Sequence, residues 1–499
     1  MQFLLSPSER ILRRFSYGPN YLEIQRIKQI SLAQWLDEQL GPNIRRDDEL
    51  EVALASASYP ISYAAGKNFP AVNEPNRKFN TLGKSAAQLN ALAHASFDDV
   101  PVVERSRALV ELSITLTLRR LWSTRQVEEM LVEFWLDHFY VAAASDFKLE
   151  ALMPLFERVV RTHALGNFSA LLKEVARQPC MLMYLDNAIS YAPAPNENYA
   201  RELLELHTLG AQLVDSSEIG AAYTEDDVKA AAQILSGWSY GYGQTVVGRV
   251  DKLASTGEFV FVPEWHMLGE KQILGARITD SGVAEGETLL AMLARHPATA
   301  KNLAVKLCQR FISENPPTAL VQAVADTWAA NVEAPDQIAN VMRTLITESV
   351  KHESQIKFRR PQEYALAVMR PVRGYVRITP DFTYTLAKTG QRLFSWPAPD
   401  GFPDIEAAWL SRDQLNSRFN IVIYMLLANQ RFGESYFNPQ AWADLAGQFL
   451  TIYATESGMQ SRFNVNLPEY DAATRQVKYF SGMQDALYRA FLHPHMQYR

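Results

Sequence analysis

Cysteine is nearly absent from this 499-residue sequence: Cys180 and Cys308 stand far apart, outside any C-x-x-C or Cys/His spacing. That scarcity excludes a disulfide framework and a structural zinc knuckle. An excess of positive charge is also missing, because 49 Lys and Arg against 55 Asp and Glu leave a formal net charge of −6. A nucleic-acid partner, which needs basic residues clustered on one face, is therefore not expected. Long apolar runs are lacking too, and no segment reaches the roughly 18 consecutive apolar residues that suggest a transmembrane helix. The opening MQFLLSPSERILRRFSYG meets charge at Glu9 and Arg10 before any sustained apolar stretch, unlike a secretory leader. A soluble chain follows, cytoplasmic by default, with a periplasmic or exported location open if a leader was removed.

What is present suffices for a large core: 47% of residues are hydrophobic and 21% charged, a globular composition. The dominant period is helical. Ser6-Pro7-Ser8-Glu9 has capping-box spacing ahead of Ile11, Leu12 and Phe15, a second helix runs from about Tyr21 to Ile30, and Ser31 and Gly41-Pro42 bracket SLAQWLDEQL. Pro, Gly, Asn and Ser interrupt the pattern over 56–85, a loop excursion that is either mobile or functional. A helical core covers 86–240. TVVGRV and GEFVFVP then suit a β insertion over 241–280, and helices return over 290–499. The expected fold is mainly α: one large multi-helix domain over 1–499, with N-terminal helices in 1–55 and a small β-hairpin excursion near residues 240–280. A weak internal echo links TLITESVKHESQIKFRRP to ALYRAFLHPHMQYR, and two copies do not make a solenoid.

Three stretches carry candidate chemistry. On TRQVEEMLVEFWLDHFYV, Val127, Leu131, Phe134, Trp135 and His138 share one helical face, which centres the histidine on the buried stripe with Asp137 beside it. A core histidine bonded to a carbonyl or carboxylate is one reading; a metal ligand, a haem-facing group or a general base is the other. On NENYARELLELHTLG, with Asn196 as cap, regular-helix geometry groups Asn198, Glu202, Glu205 and Leu209 and puts His207 nearly opposite, beside Leu203 and Leu204. One ion cannot then be held by Glu202, Glu205 and His207 together. Glu197, Arg201 and Glu205 could form a surface ladder, yet Leu203, Leu206 and Leu209 spread widely around the helix and argue for burial. Thr224 and Asp227 repeat the cap spacing before a helix ending at Gly237-Trp238. The rigid stretch Phe394 to Trp409 suits a pocket wall or simple packing. Glu264-Trp265-His266 reads as an exposed tip, or as a polar group supplied to the site from above.

NENYARELLELHTLG and YTEDDVKAAAQILSGW, with FWLDHF before them and HPATAKNLAVKLCQRF, RRPQEYALAVMR and FSWPAPDGFPDIEAAWL after, resemble the bacterial family catalogued as domain of unknown function 1800. The resemblance spans nearly the whole chain. It implies no assigned activity, but such genes often neighbour a sulfatase-like or phosphatase-like exported family, which implies a partner. Gln233 and Ser236 stand where the family pattern has Arg and Thr, so this chain lacks that cation.

Two functions follow. One is an enzyme, a metal- or haem-dependent oxidoreductase or hydrolase, in which His138, Arg201, Glu202, Glu205 and His207 converge and His138 with Glu202 holds the metal. FWLDHF and NEN followed by LHTL echo the Asp-His element and the Arg/Glu helix of animal-type haem peroxidases, with different spacing. The other is a non-catalytic scaffold or maturation partner of the sulfatase-like protein, its polar residues a satisfied internal network.

Overall fold

Side-chain caps set the helix boundaries. The computed structural model describes residues 7–42, 47–210, 223–243, 253–352, 354–372, 380–431, 470–471, 476–477, 492 and 494–499. After α1 (Pro7–Arg14), Asn20 opens α2 (Tyr21–Gln29) with a reciprocal box to Glu23, and Ser31 opens α3 (Leu32–Leu40) with one to Gln34. Each box satisfies N–H groups that a helix start leaves without partners.

The chain is mainly α with small hairpins, and the described strands pair into four two-stranded antiparallel sheets. The 56–85 stretch is not a plain loop: β1 (Ser58–Tyr63) pairs with β2 (Val72–Lys78). Pro60 disguises it, falling at the register shift between Tyr59 and Ile61, where proline is tolerated in a sheet. Tyr59 and Ile61 are buried with the period of a strand.

Further helices are α4 (Arg107–Trp122), α5 (Gln126–His138), α6 (Phe147–His163), α7 (Asn198–Glu202) and α8 (Glu225–Leu235). Beyond α8, Gly237 turns at φ +82° into β3 (Trp238–Tyr240), where an added Cβ would meet the Val262 carbonyl at 2.7 Å. GEFVFVP supplies β4 (Phe259–Phe261), which pairs with β3, and β5 (Lys271–Ile273) pairs with β6 (Ala276–Ile278). TVVGRV, the 216–222 loop and half of the later copy of the echo lie outside the described residues. Three more helices complete the frame: α9 (Pro297–Phe311), α10 (Pro361–Val372) and α11 (Pro380–Ala387).

One hydrophobic cluster runs from Ile11 to Met496 and includes Trp135, Phe139, Leu203, Leu204, Leu303 and Leu307. A smaller one, Tyr140, Phe358, Phe402 and Trp409, seats the Pro-rich stretch against the end of α5. Among the described residues, no helix is long and apolar enough to cross a membrane.

Candidate functional site

Two helices face each other with polar rows at i, i+4 and i+8: Glu129, Glu133 and Asp137 on α5, and Asn302, Lys306 and Arg310 on α9. Such spacing stacks side chains on one helix face. Glu133, Asp137 and Arg310 enter a buried ion network, while Asn302 and Lys306 reach the end of the turn that follows α7.

In the network, Arg310 lies 2.6 Å from Glu363 and 3.2 Å from Glu133, while Arg499 reaches Glu363 at 3.2 Å. The Arg310 guanidinium meets these carboxylates at ion-pair distance but off the axis of its N–H bonds, so charge rather than aligned hydrogen bonding holds it. Arg360 pairs with Asp137 and, at 2.8 Å, with Asp404, which Lys357 also approaches at 3.3 Å. Burial alone would raise Glu363, yet Arg310, Arg499 and Arg360 hold it down at about 2. Asp137 goes the other way, pushed up to about 6 by burial despite Arg360.

Above the network, α7 stops being an α-helix. After Glu202 the chain takes a π turn over Leu203–Thr208, with Leu209 N donating to the Leu204 carbonyl at 2.8 Å and Thr208 Oγ1 to the Leu203 carbonyl at 2.7 Å. Three successive carbonyls at its end are taken by side chains from outside. Lys306 Nζ donates to Leu206 O at 2.9 Å, His138 Nε2 lies 3.0 Å from His207 O, and Asn302 Nδ2 donates to Thr208 O at 2.8 Å. Gly210, at φ +93°, follows, and an added Cβ there would come within 3.1 Å of Asn302.

The contact to a carbonyl fixes the His138 tautomer: Nε2 carries the proton, and the bare Nδ1 faces Lys306 Nζ at 3.5 Å. Burial, then Lys306 and then His207 keep His138 neutral, well below the usual histidine range. Burial pushes Lys306 down to about 8, opposed by Asp400. Lys306 retains some exposure as a residue, which leaves an approach from solvent.

The other sequence candidates separate. Glu202 is raised by burial and then by Glu205, with Arg201 opposing and Asp400 a further charged neighbour. Glu205 is partly exposed and accepts from the Tyr223 hydroxyl at 3.5 Å. His207 is buried with both ring nitrogens unpartnered, its ring 6.1 Å from that of His138 and 5.1 Å from Phe139, and burial followed by Lys306 takes it down to about 3. Arg201 does not converge: it forks onto Glu225 at 2.7 and 2.8 Å and reaches Glu197 at 3.3 Å on the surface. The expected ladder is thus half formed, with Glu225 in the place of Glu205.

A metal at His138 and Glu202 fits this geometry poorly, because one histidine nitrogen is committed to a carbonyl and the other faces an ammonium. Among the described residues no group of three or more His, Cys, Asp or Glu side chains is arranged to hold an ion. Trp265 and His266 are buried rather than an exposed tip. His266 Nδ1 lies 2.8 Å from Ser236 O, and its Nε2 lies 3.2 Å from Glu285, which Lys271 neutralises at 2.6 Å. Ser236 Oγ meanwhile accepts from Met267 N at 2.8 Å, a role its hydroxyl fills without a threonine methyl. The Pro-rich stretch packs against the end of α5, the simple-packing alternative. Trp396 N donates to Tyr140 Oη at 2.6 Å, Trp396 Nε1 to Asp400 at 2.9 Å, and Gly401 sits so close that an added Cβ would lie 2.3 Å from the Asp137 carbonyl.

Lys306, Asp400, Arg310, Arg360, Glu363 and Asp404 were not singled out from sequence as site residues. The signal for two of them was available: Asn302, Lys306 and Arg310 share one face of α9 at i, i+4 and i+8. No curated protein and no solved structure matches the chain. A family model matches residues 10–498, nearly the whole length, and the chain belongs to that family, described as Protein of unknown function (DUF1800).

Proposed function

We propose that the chain is an enzyme that moves protons on a small polar substrate in the cleft between Lys306, Glu202 and Asp400. The observation that carries this is Lys306 Nζ, held between the Leu206 carbonyl and the bare Nδ1 of His138, and lowered by burial to about 8. An amine so placed can take a proton near neutral pH, and Glu202, raised by its surroundings, can return one. His138 positions Lys306 and supplies no proton of its own. The reading does not run through a metal or haem at His138, since both ring nitrogens are engaged.

The test has two arms. Acetic anhydride labelling across pH, read by peptide mass spectrometry, gives the Lys306 titration directly; a midpoint near 8 is expected. A midpoint in the ordinary lysine range, about 10.4, defeats the reading. Turnover on a panel of esters, amides and phosphoesters is expected to fall by about a hundredfold or more in Lys306→Met; unchanged turnover defeats it equally.

A specific observation favours a second reading, a scaffold or maturation partner for a sulfatase-like protein. Lys306, His138 and Asn302 each close a carbonyl at a helix end, which is reason enough for a structural polar residue. Co-purification with the neighbouring gene product tests it, and no association at micromolar concentration counts against it.

A further inference from the structure

Among the described residues six glutamates are buried: Glu111, Glu129, Glu133, Glu150, Glu285 and Glu363. Five of them hold a Lys or Arg nitrogen within 3.2 Å, namely Arg107, Arg161, Arg310, Lys271 and again Arg310 in that order. Glu150, on the first turn of α6, is only 6% exposed and has no such ion pair, and its Oε2 has no hydrogen-bond partner. A buried acid left open is costly unless something not yet present completes it.

Glu150 lines a cavity of about 270 Å³ between α4, α11 and the Arg392–Leu393 segment. Leu109, Ser113 and Leu386 are among its wall residues, and the exposed Arg392 stands at its edge. This space is far larger than the ~30 Å³ share of one water molecule, and its mixed wall, apolar with a few polar groups, is that of a small-molecule site. Burial raises the proton affinity of Glu150, and Ser106 and then Arg392 offset this only in part.

From the cavity and the open carboxylate oxygen we infer that this is a binding site for a small primary amine, its ammonium on Glu150 and its apolar body against Leu109 and Leu386. The chemistry is set by complementarity. An ammonium supplies both the charge and the N–H donors that Oε2 lacks, and aliphatic wall residues favour an apolar body over a sugar or phosphate. No residue assigned to proton transfer lines this cavity, so the site stands or falls apart from that reading.

The probe is n-hexylamine, titrated onto the full chain by calorimetry and by ligand-observed NMR, with n-hexanol and hexanoate as matched controls. Saturable binding of the amine is expected, at least about tenfold tighter than either control. Glu150→Gln, which keeps the shape and removes the charge, is expected to lose about tenfold or more in amine affinity, and Ser113→Phe, which fills the space, to abolish binding. Equal affinity for hexylamine and hexanol, undiminished binding to folded Glu150→Gln, or no saturation by about 10 mM overturns the assignment. The comparison of amine with alcohol in the unaltered chain decides the matter even if a variant fails to fold.

Discussion

The ion network around Arg310 and the cleft around Lys306 lie one helical turn apart on the same face of α9, yet they solve opposite problems. In the network every carboxylate has a cation in reach: Glu133 and Glu363 share Arg310, Asp404 has Arg360 and Lys357, and Asp137 has Arg360. In the cleft, the Lys306 ammonium is shared between a carbonyl and a neutral imidazole, His207 has no polar partner, and Glu202 is raised rather than lowered. Complete pairing fixes helices in place. Incomplete pairing beside solvent leaves groups whose protons can be moved.

The comparison breaks most severely if Arg310 is removed. Arg310→Met strands Glu133 and Glu363 in the core, and a loss of ~3–5 kcal/mol is expected from urea unfolding; a loss below ~1 kcal/mol would mean that the network is not a unit. Next is acid. Glu363 is depressed in the folded state, so its contribution is fully present above its ordinary value of 4.5 and is lost as pH falls toward about 2. Asp137 works in the other sense, favouring the folded state below 3.8 and losing that contribution as pH rises through about 6. Stability measured across pH should therefore fall by on the order of a few kcal/mol at the acid end, and Glu363→Gln should flatten that limb. A third, smaller effect is His138→Ala, expected to cost ~1–3 kcal/mol for the unmade bond to His207 O. If the cleft is catalytic, its loss of turnover should exceed what that destabilisation explains; a purely thermal effect would move the cleft to the side of the network. Smallest is Arg201→Ala, within ~0.2–1 kcal/mol because its fork to Glu225 is exposed, with turnover unchanged.

Much of the frame could be read from sequence because short-range chemistry sets it. Ser31, Thr224 and Asn20 cap helices through groups three residues away, and Val127, Leu131, Trp135 and His138 are buried on the stripe that a 3.6-residue period draws. The site was legible only in part. Of the proposed cleft, His138 and Glu202 stand out in the sequence, but Lys306 and Asp400 come from about 100 and 200 residues beyond Glu202, a juxtaposition that no local pattern encodes. Arg201 was misplaced for a related reason: its partner Glu225 comes from the next helix, so spacing within its own helix misled. The hairpin over 58–78 was hidden by Pro60 and Pro75, which local propensity counts as breakers and pairing absorbs at a register shift.

The π turn at Leu203–Thr208 amounts to one residue slipped into an α-helix, a phase error in the repeat. Beyond the slip, every side chain points about one residue away from where a wheel drawn through Asn198 would set it. That is why Leu209 is buried although a constant pitch would carry it away from the side of Leu203 and Leu204. It also means that removing a single residue here would restore a regular helix and turn the carbonyls of Leu206, His207 and Thr208 away from Lys306, His138 and Asn302 together. The cleft is thus set by the count of residues in one turn as much as by their identities.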